Sequence, residues 1–481
     1  MVSTPFKPTQ KAWAKAIARP GEEFALTPLS IVSGAIPAGL QGTLYRNGPG
    51  RLDRGGKHVG HWFDGDGAIL GVHFRSTGAS AVYRYVQTSG YLAEAQQDRF
   101  LSANYGMTDP QGVWNFWWRV LSKQDSLKNA ANTSVLALPD KLLALWEAGQ
   151  PHSLDLETLE TKGVETLGSL QPTQPYSAHP LRDPLTGEIF SIGVDIQGNL
   201  HIYKSDRTGQ IKQQTVIKLN DLPFIHSFAL AGQYLIFFLP PLKMDKMAVL
   251  LGTKSYADSL EWHPASRTQI LVVDRETFDV VSRGETEPWF QWHYGNACVE
   301  ADGLVRLDFV RFTDFSQTNE YLREVATGTT TTVANGNLWE VRLDPKTAKI
   351  VSMQEVLDRS SEFPVVSPQS IGRSWRHTYL ALQRKSAGDS EFFGAIGCFD
   401  YETGTLTEAD LGENMYTVEP LYIPDALNPD RGWIMTVVYD GNNDRSEVWI
   451  FDFDRLTEAP ICRLALPGVI PFSFHGTWRA V

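Results

Sequence analysis

Basic residues are in the minority here: 43 Lys and Arg stand against 55 Asp and Glu, a formal net charge of −12. That balance excludes a nucleic-acid partner and broad electrostatic attraction to anionic lipid, so any membrane contact has to be apolar. Cysteine is scarce, with Cys298, Cys398 and Cys462 far apart and in no metal-binding spacing, which suits a reducing compartment and not a disulfide framework. No uninterrupted apolar run approaches the roughly 18 residues that a spanning helix needs. The start, MVSTPFKPTQKAWAKAIARPGEEF, lacks the apolar stretch of a secretory signal. The expectation is a soluble, cytoplasmic protein with no obligate protein partner evident.

What the chain does have is short strands rich in Val, Ile, Tyr, Phe and Trp, separated by turns that resemble one another. Asp155 to Thr158, Asp274 to Thr277, Asp344 to Thr347, Asp400 to Thr403 and Asp454 to Thr457 share the pattern D-x-x-T. Asp206-Arg-Thr-Gly209 is a shortened version and Arg75-Ser-Thr-Gly78 a degenerate seventh. Asp and Thr side chains bond the backbone of tight turns, which suits a hairpin. An alternating strand such as NLWEVRLD or EVWIFDFD precedes each turn, and successive turns lie 51 to 70 residues apart. That allows about four strands per unit, so the reading is all-β: a seven-bladed β-propeller forming one domain over residues 1–481. A large β-sandwich or two β domains would also repeat strands and turns. Two long apolar segments, 109–130 and 234–262, interrupt the repeat and read as a helical and loop cap over one face.

There are 11 histidines. A single His in a strand is more often a packed core residue than a ligand. Position relative to the turns singles out four: His179, His226, His293 and His475 follow their turn aspartates by 24, 20, 19 and 21 residues. Glu362 and Glu419 occupy the same phase of two other repeats, 18 and 19 residues after Asp344 and Asp400. Glu147, in LALWEAG, is the natural candidate for the repeat stretched by the first insertion. Equal phase means equal place in a blade, so four imidazoles and three carboxylates should point at one central place.

Neutral imidazoles suit Fe, Zn, Cu and Ni, so ligand type alone leaves the metal open. Four neutral ligands also leave the ion's charge uncompensated. Carboxylates just behind them could accept the outward ring N–H groups, fix the tautomers and offset that charge. An octahedral ion would keep two positions free. Taken singly, the glutamates could equally be salt-bridged or capping a turn, but all three stand in apolar settings where an unpaired carboxylate is costly.

These residues resemble the carotenoid cleavage oxygenase family over essentially the whole chain. The resemblance rests on LQGTLYRNGPG (Leu40 to Gly50), HWFDGDG (His61 to Gly67), ANTSVLAL, LALWEAG, the segments around His179 and His226, WHYGNA, EPLYIP and the terminal FHGTW. It implies a propeller with one Fe(2+) per subunit on the four histidines, Glu147, Glu362 and Glu419 behind them, and O2 as co-substrate. It further implies scission of one C=C bond of a carotenoid or apocarotenoid into two carbonyl products. Thr133 matches a residue beside the open iron position in related enzymes and is the candidate catalytic side chain. Trp146, Phe224, Trp292 and Phe363 flank the ligands and glutamates and are assigned to the substrate tunnel, although aromatics in a β core need no ligand.

Stilbene-cleaving members carry a lysine where this chain has Trp146, which favours an apolar polyene over a phenolic stilbene. The insertions, with Trp114, Trp117 and Trp118, are expected to form an apolar patch at the tunnel mouth that touches membrane peripherally. An oligomer contact or an internally packed cap would use the same residues. The competing readings are a non-catalytic binding propeller, a zinc hydrolase or lyase, a stilbenoid oxygenase and an isomerase. Which bond is cut, and whether the substrate is a full carotenoid or an apocarotenoid, depends on a tunnel whose length the sequence does not state.

Overall fold

The computed structural model describes residues 11–121, 127–219, 224–386, 388 and 390–481. Seven antiparallel sheets of four to six strands stand around one axis as propeller blades, beside two small two-stranded ribbons. The D-x-x-T turns occupy the same place in every blade, between its third and fourth strands counted from the axis. Asp155 Oδ1 accepts from the N–H groups of Glu157 and Thr158 and from the Thr158 hydroxyl. Asp206, Asp274, Asp344 and Asp400 hold their turns likewise. In the seventh blade the residue that does so is Asp452, not Asp454: its Oδ1 accepts from the Asp454 N–H at 3.1 Å.

Burial follows position in the blade. Second strands such as Tyr234–Leu239 and Gly432–Asp440 are buried almost throughout, being covered on both faces by neighbouring blades. Fourth strands such as Ile211–Lys218 alternate between covered and exposed positions, as a half-buried strand must. Between the blades lie the apolar clusters, for example Phe190, Ile202, Phe237 and Leu271.

Both termini close the ring. The C-terminal strand His475–Ala480 is the innermost strand of the blade formed by Gly42–Arg51, Asp66–Arg75 and Gly78–Tyr85. Phe24–Pro28 adds that blade's outermost strand, and Ser30–Gly34 adds the outermost strand of the preceding blade.

Each turn aspartate is followed by a fourth strand, a crossing loop and then the innermost strand of the next blade. The spacing between aspartate and histidine is therefore the length of one fixed path. It brings His179, His226, His293 and His475 to one end of the ring, hereafter the upper face.

Cap elements rise from loops on this face. Helix α1 (Ser89–Gln97) and helix α2 (Val113–Leu121) link the first two blades; residues 122–126 of that insertion lie outside the described residues. The second insertion starts later than the sequence suggests, because Tyr234–Leu239 is a regular blade strand. Beyond it, a ribbon of Leu242–Met244 and Leu260–Trp262 carries helix α3 (Lys246–Leu250). A third cap piece, helix α4 (Phe315–Thr327), was not anticipated.

The first insertion is anchored by a buried group of charges. Arg54 donates to Asp66 at 2.5 Å, and Lys128 bonds both Asp66 and, at 2.6 Å, Glu94 of α1. Two cations contact two carboxylates directly and all four are buried, so removing one leaves a buried charge unpaired. Lys128→Met should cost about 3–5 kcal/mol, seen as a lower urea midpoint; a midpoint equal to wild type would show that the group does not secure the cap.

Candidate metal centre

His179 and His226 precede the strands Leu181–Arg182 and Ala229–Ala231, His293 lies inside Phe290–Val299, and His475 begins the closing strand. Register breaks at Gln291/Tyr294 and at Glu362/Val365 turn His293 and Glu362 out of the pleat toward the axis. One potential ligand atom from each of the four histidines lies within 4.8 Å of the others, and the Nε2 atoms of His226 and His293 are 3.1 Å apart.

The glutamates sit behind them. His293 Nδ1 is 2.6 Å from Glu362 Oε2, and His475 Nδ1 is 2.8 Å from Glu419 Oε1. A carboxylate in that place takes the Nδ1–H and leaves the Nε2 lone pair facing inward. Glu147 Oε1 is 3.3 Å from His226 Nδ1 and 3.4 Å from His179 Nε2. Among the described residues His179 has no carboxylate behind its ring, and its buried Nε2 has no hydrogen-bond partner.

Burial holds the imidazoles of His226 and His475 well below their usual pKa, reinforced by the neighbouring histidines, so both are neutral donors. Neutral nitrogen donors converging on one point, with an unpartnered buried lone pair among them, fit a transition-metal ion. Burial pushes the Glu419 carboxyl up, against the pull of the Arg46 guanidinium and the Gly476 N–H.

Glu147 does not occupy the phase assigned to it. It stands in the upper loop after the second strand of its blade, Leu142–Leu145, and reaches the site sideways. The equivalent place, just before the innermost strand Ser134–Ala137, belongs to Thr133. The Thr133 hydroxyl donates to Asn132 Oδ1 at 3.2 Å, and Asn132 in turn donates to the carbonyls of Phe63 and Gly65.

The sequence motifs interlock here. Asn47 of LYRNGPG donates to the carbonyls of Ala131 and Ser134, bracketing Thr133. Its neighbour Arg46 stretches across Gly476 of FHGTW to reach Glu419; a Cβ on Gly476 would lie 2.6 Å from the Arg46 side chain. Arg46, Asn47 and Asn132 all went unassigned as functional residues, although each stands inside a motif the sequence had singled out.

A cavity of about 700 Å³ runs from the cap past His226, His293 and His475. Trp146, Phe224, Trp292 and Phe363 all line it, as does Thr133. So do Phe63, Tyr105, Phe393 and Phe474, which were not foreseen. Phe363 stacks on His293 with ring centroids 5.4 Å apart and has φ 55°. A residue with a side chain enters that left-handed region only under constraint, supplied here by its N–H bonding the adjacent Glu362 carboxylate.

The family model described as retinal pigment epithelial membrane protein matches residues 17–480. This chain belongs to the carotenoid cleavage oxygenase family. It is 33% identical to apocarotenoid-15,15'-oxygenase of Synechocystis sp. over 93% of this chain and 92% of that protein. It is 26% identical to resveratrol cleavage oxygenase 1 of Aspergillus fumigatus, covering 93% and 91%. The crystal structure of cobalt-substituted Synechocystis ACO superposes with a TM-score of 0.89 at 31% identity, covering 98% of this chain and 99% of that one. A metal cofactor on the histidine cluster follows from the donor set and from membership of this family.

Replacing any one of the four histidines by Ala should abolish the binding of one metal ion per chain, measured by elemental analysis. A variant that keeps a full ion would remove that residue from the ligand set. Glu362→Gln or Glu419→Gln should weaken metal retention about 10-fold to 100-fold in a chelator competition; retention equal to wild type would make these glutamates ordinary structural residues.

Proposed function

We propose that this protein is a non-haem Fe(2+) dioxygenase that splits one C=C bond of an apocarotenoid. Both atoms of O2 enter the products, so the double bond is replaced by two carbonyl groups and no proton or electron is left over. The observation that carries the reading is an apolar cavity lined by His226, His293 and His475, three of four converging imidazoles, in a member of a family of carotenoid-cleaving oxygenases.

His179, His226, His293 and His475 would hold the ion, and Glu147, Glu362 and Glu419 would fix three of the rings. Ferrous iron, when bound, supplies the activation of O2 toward the alkene. The chain's own residues do the rest. Trp146, Trp292 and Phe363 hold one polyene double bond beside the histidines, which turns selection of the bond into selection of a position. Their apolar surface keeps water away from reactive species. Thr133, which lines the cavity beside Asn132, would narrow the open side of the cluster. Trp146, in place of a lysine, offers a phenolic stilbene no ammonium group at that position.

The cavity mouth supports peripheral contact with a membrane. Trp114 and Trp118 of α2 are 86% and 58% exposed, and Leu121 is exposed with them. Trp117, by contrast, faces the cavity with Phe116. Met247 and Leu250 of α3 are exposed, and α2 and α3 meet where Val113 lies against Gly252. Among the described residues, no helix is long and apolar enough to cross a membrane. The three cysteines are unpaired and buried, which accords with a cytoplasmic location.

Anaerobic loading with Fe(2+), followed by a β-apocarotenal and O2, should yield two carbonyl fragments whose masses name the bond; iron binding without cleavage would reject the polyene reading. Trp114→Ser with Trp118→Ser should reduce liposome binding and slow turnover of membrane-dissolved substrate while sparing detergent-dispersed substrate. Equal liposome binding by variant and wild type would dismiss the patch.

A further inference from the structure

We propose that Arg46 sets the charge balance of the metal centre and thereby holds its ion in the divalent state. This rests on the metal reading given above. Arg46 is 1% exposed, and each of its side-chain nitrogens is occupied. Nε donates to the Ser473 hydroxyl at 3.1 Å and Nη2 to the Phe474 carbonyl at 3.1 Å. Nη1 donates to the Glu419 carbonyl at 2.8 Å and to Glu419 Oε2 at 3.1 Å. Gly476 N–H also donates to Oε2, at 2.7 Å, while Oε1 faces His475 Nδ1. Three donors therefore converge on Glu419, the surroundings of an ionised carboxylate.

The three glutamates are not electrically equivalent. Glu362 takes His293 Nδ1 and the Phe363 N–H, and its Oε1 is buried with no partner. Among the described residues, Glu147 has two imidazoles beside it and no cation, and of the three glutamates Glu419 alone is paired with a buried guanidinium. An imidazole that ligates an ion is neutral, so around a bound ion three carboxylates face one arginine. A divalent ion makes the group neutral; a trivalent ion leaves one positive charge unbalanced. In a buried site of low dielectric, such a charge is costly.

Loss of one electron from the bound ion is therefore opposed by Arg46. Removing its charge should ease that loss, and removing a carboxylate should hinder it. Arg46 acts through Glu419 and His475 and touches neither substrate nor ion, so it is a positioning residue. The contacts that place it are Gly476, which leaves room for its side chain, and Ser473.

The test is a potentiometric titration of the iron-loaded protein with redox mediators, the ferric form being read by its electron paramagnetic resonance. Arg46→Met should shift the midpoint negative. Arg46→Met combined with Glu419→Gln removes one charge of each sign and should bring it back toward wild type, which a purely structural role for Arg46 would not do. Glu362→Gln should shift the midpoint positive, and Arg46→Gln, which removes the charge but keeps amide donors for the Glu419 and Phe474 carbonyls, should shift it negative and decides the matter if Arg46→Met fails to fold. Unshifted midpoints, or a shift in Arg46→Met that the second substitution does not reverse, would overturn the proposal. Iron content of the wild type is measured first: no iron would reject the metal reading itself, whereas one iron with unshifted variants rejects only the role of Arg46.

Discussion

An ion held by four neutral imidazoles brings its whole charge into the interior, because no ligand cancels any of it. The structure around the site answers that constraint. Carboxylates are needed close by, and each must be kept from moving onto the ion or out toward solvent. Glu362 is fixed by the N–H of a strained neighbour and Glu419 by a guanidinium and a glycine N–H. The neighbours are fixed in turn: Arg46 and Asn47 lie side by side on a strand hydrogen-bonded to the one that carries His475. What looks in sequence like scattered short motifs is, in space, one hydrogen-bonded frame.

That frame explains which parts were legible beforehand. The blades repeat, and a repeat reports itself through its turns, so the ring and the phase of the four histidines could be read from aspartate spacings. The same logic failed where the repeat was broken. An insertion displaced the count in the second blade, and a carboxylate in an apolar setting was taken for the axial residue when the true occupant of that place is Thr133. In the last blade D-x-x-T pointed to Asp454, although Asp452 closes the turn. Helix α4 escaped notice because its exposed face gives it a polar composition within a strand-rich stretch. Arg46 and Asn132 could not be given roles from spacing at all, since their partners are backbone carbonyls and side chains remote in sequence.

The cavity adds a second division of labour. Its walls are aromatic and offer few polar groups, and most of those, such as Asn132 and Thr318, already have protein partners. A polyene gains affinity from such walls with little directional preference along its length. Discrimination between double bonds must then come from where the chain stops and how closely the rings crowd the histidines. Among the lining rings Phe363 is held by its left-handed backbone and by stacking on His293.

The lower face carries turns and stability; the upper face carries inserted loops and chemistry. The two are joined at the closing strand. His475 is its first residue, so the fourth imidazole joins the cluster only when this strand has paired with Gly42–Arg51. An unclosed ring offers three histidines and leaves Glu419 without His475 and the Gly476 N–H. Because an ion that binds the closed form alone stabilises it by mass action, metal binding and ring closure must reinforce one another. Placing the last ligand and the last strand at one point therefore ties the integrity of the whole ring to the occupancy of its centre.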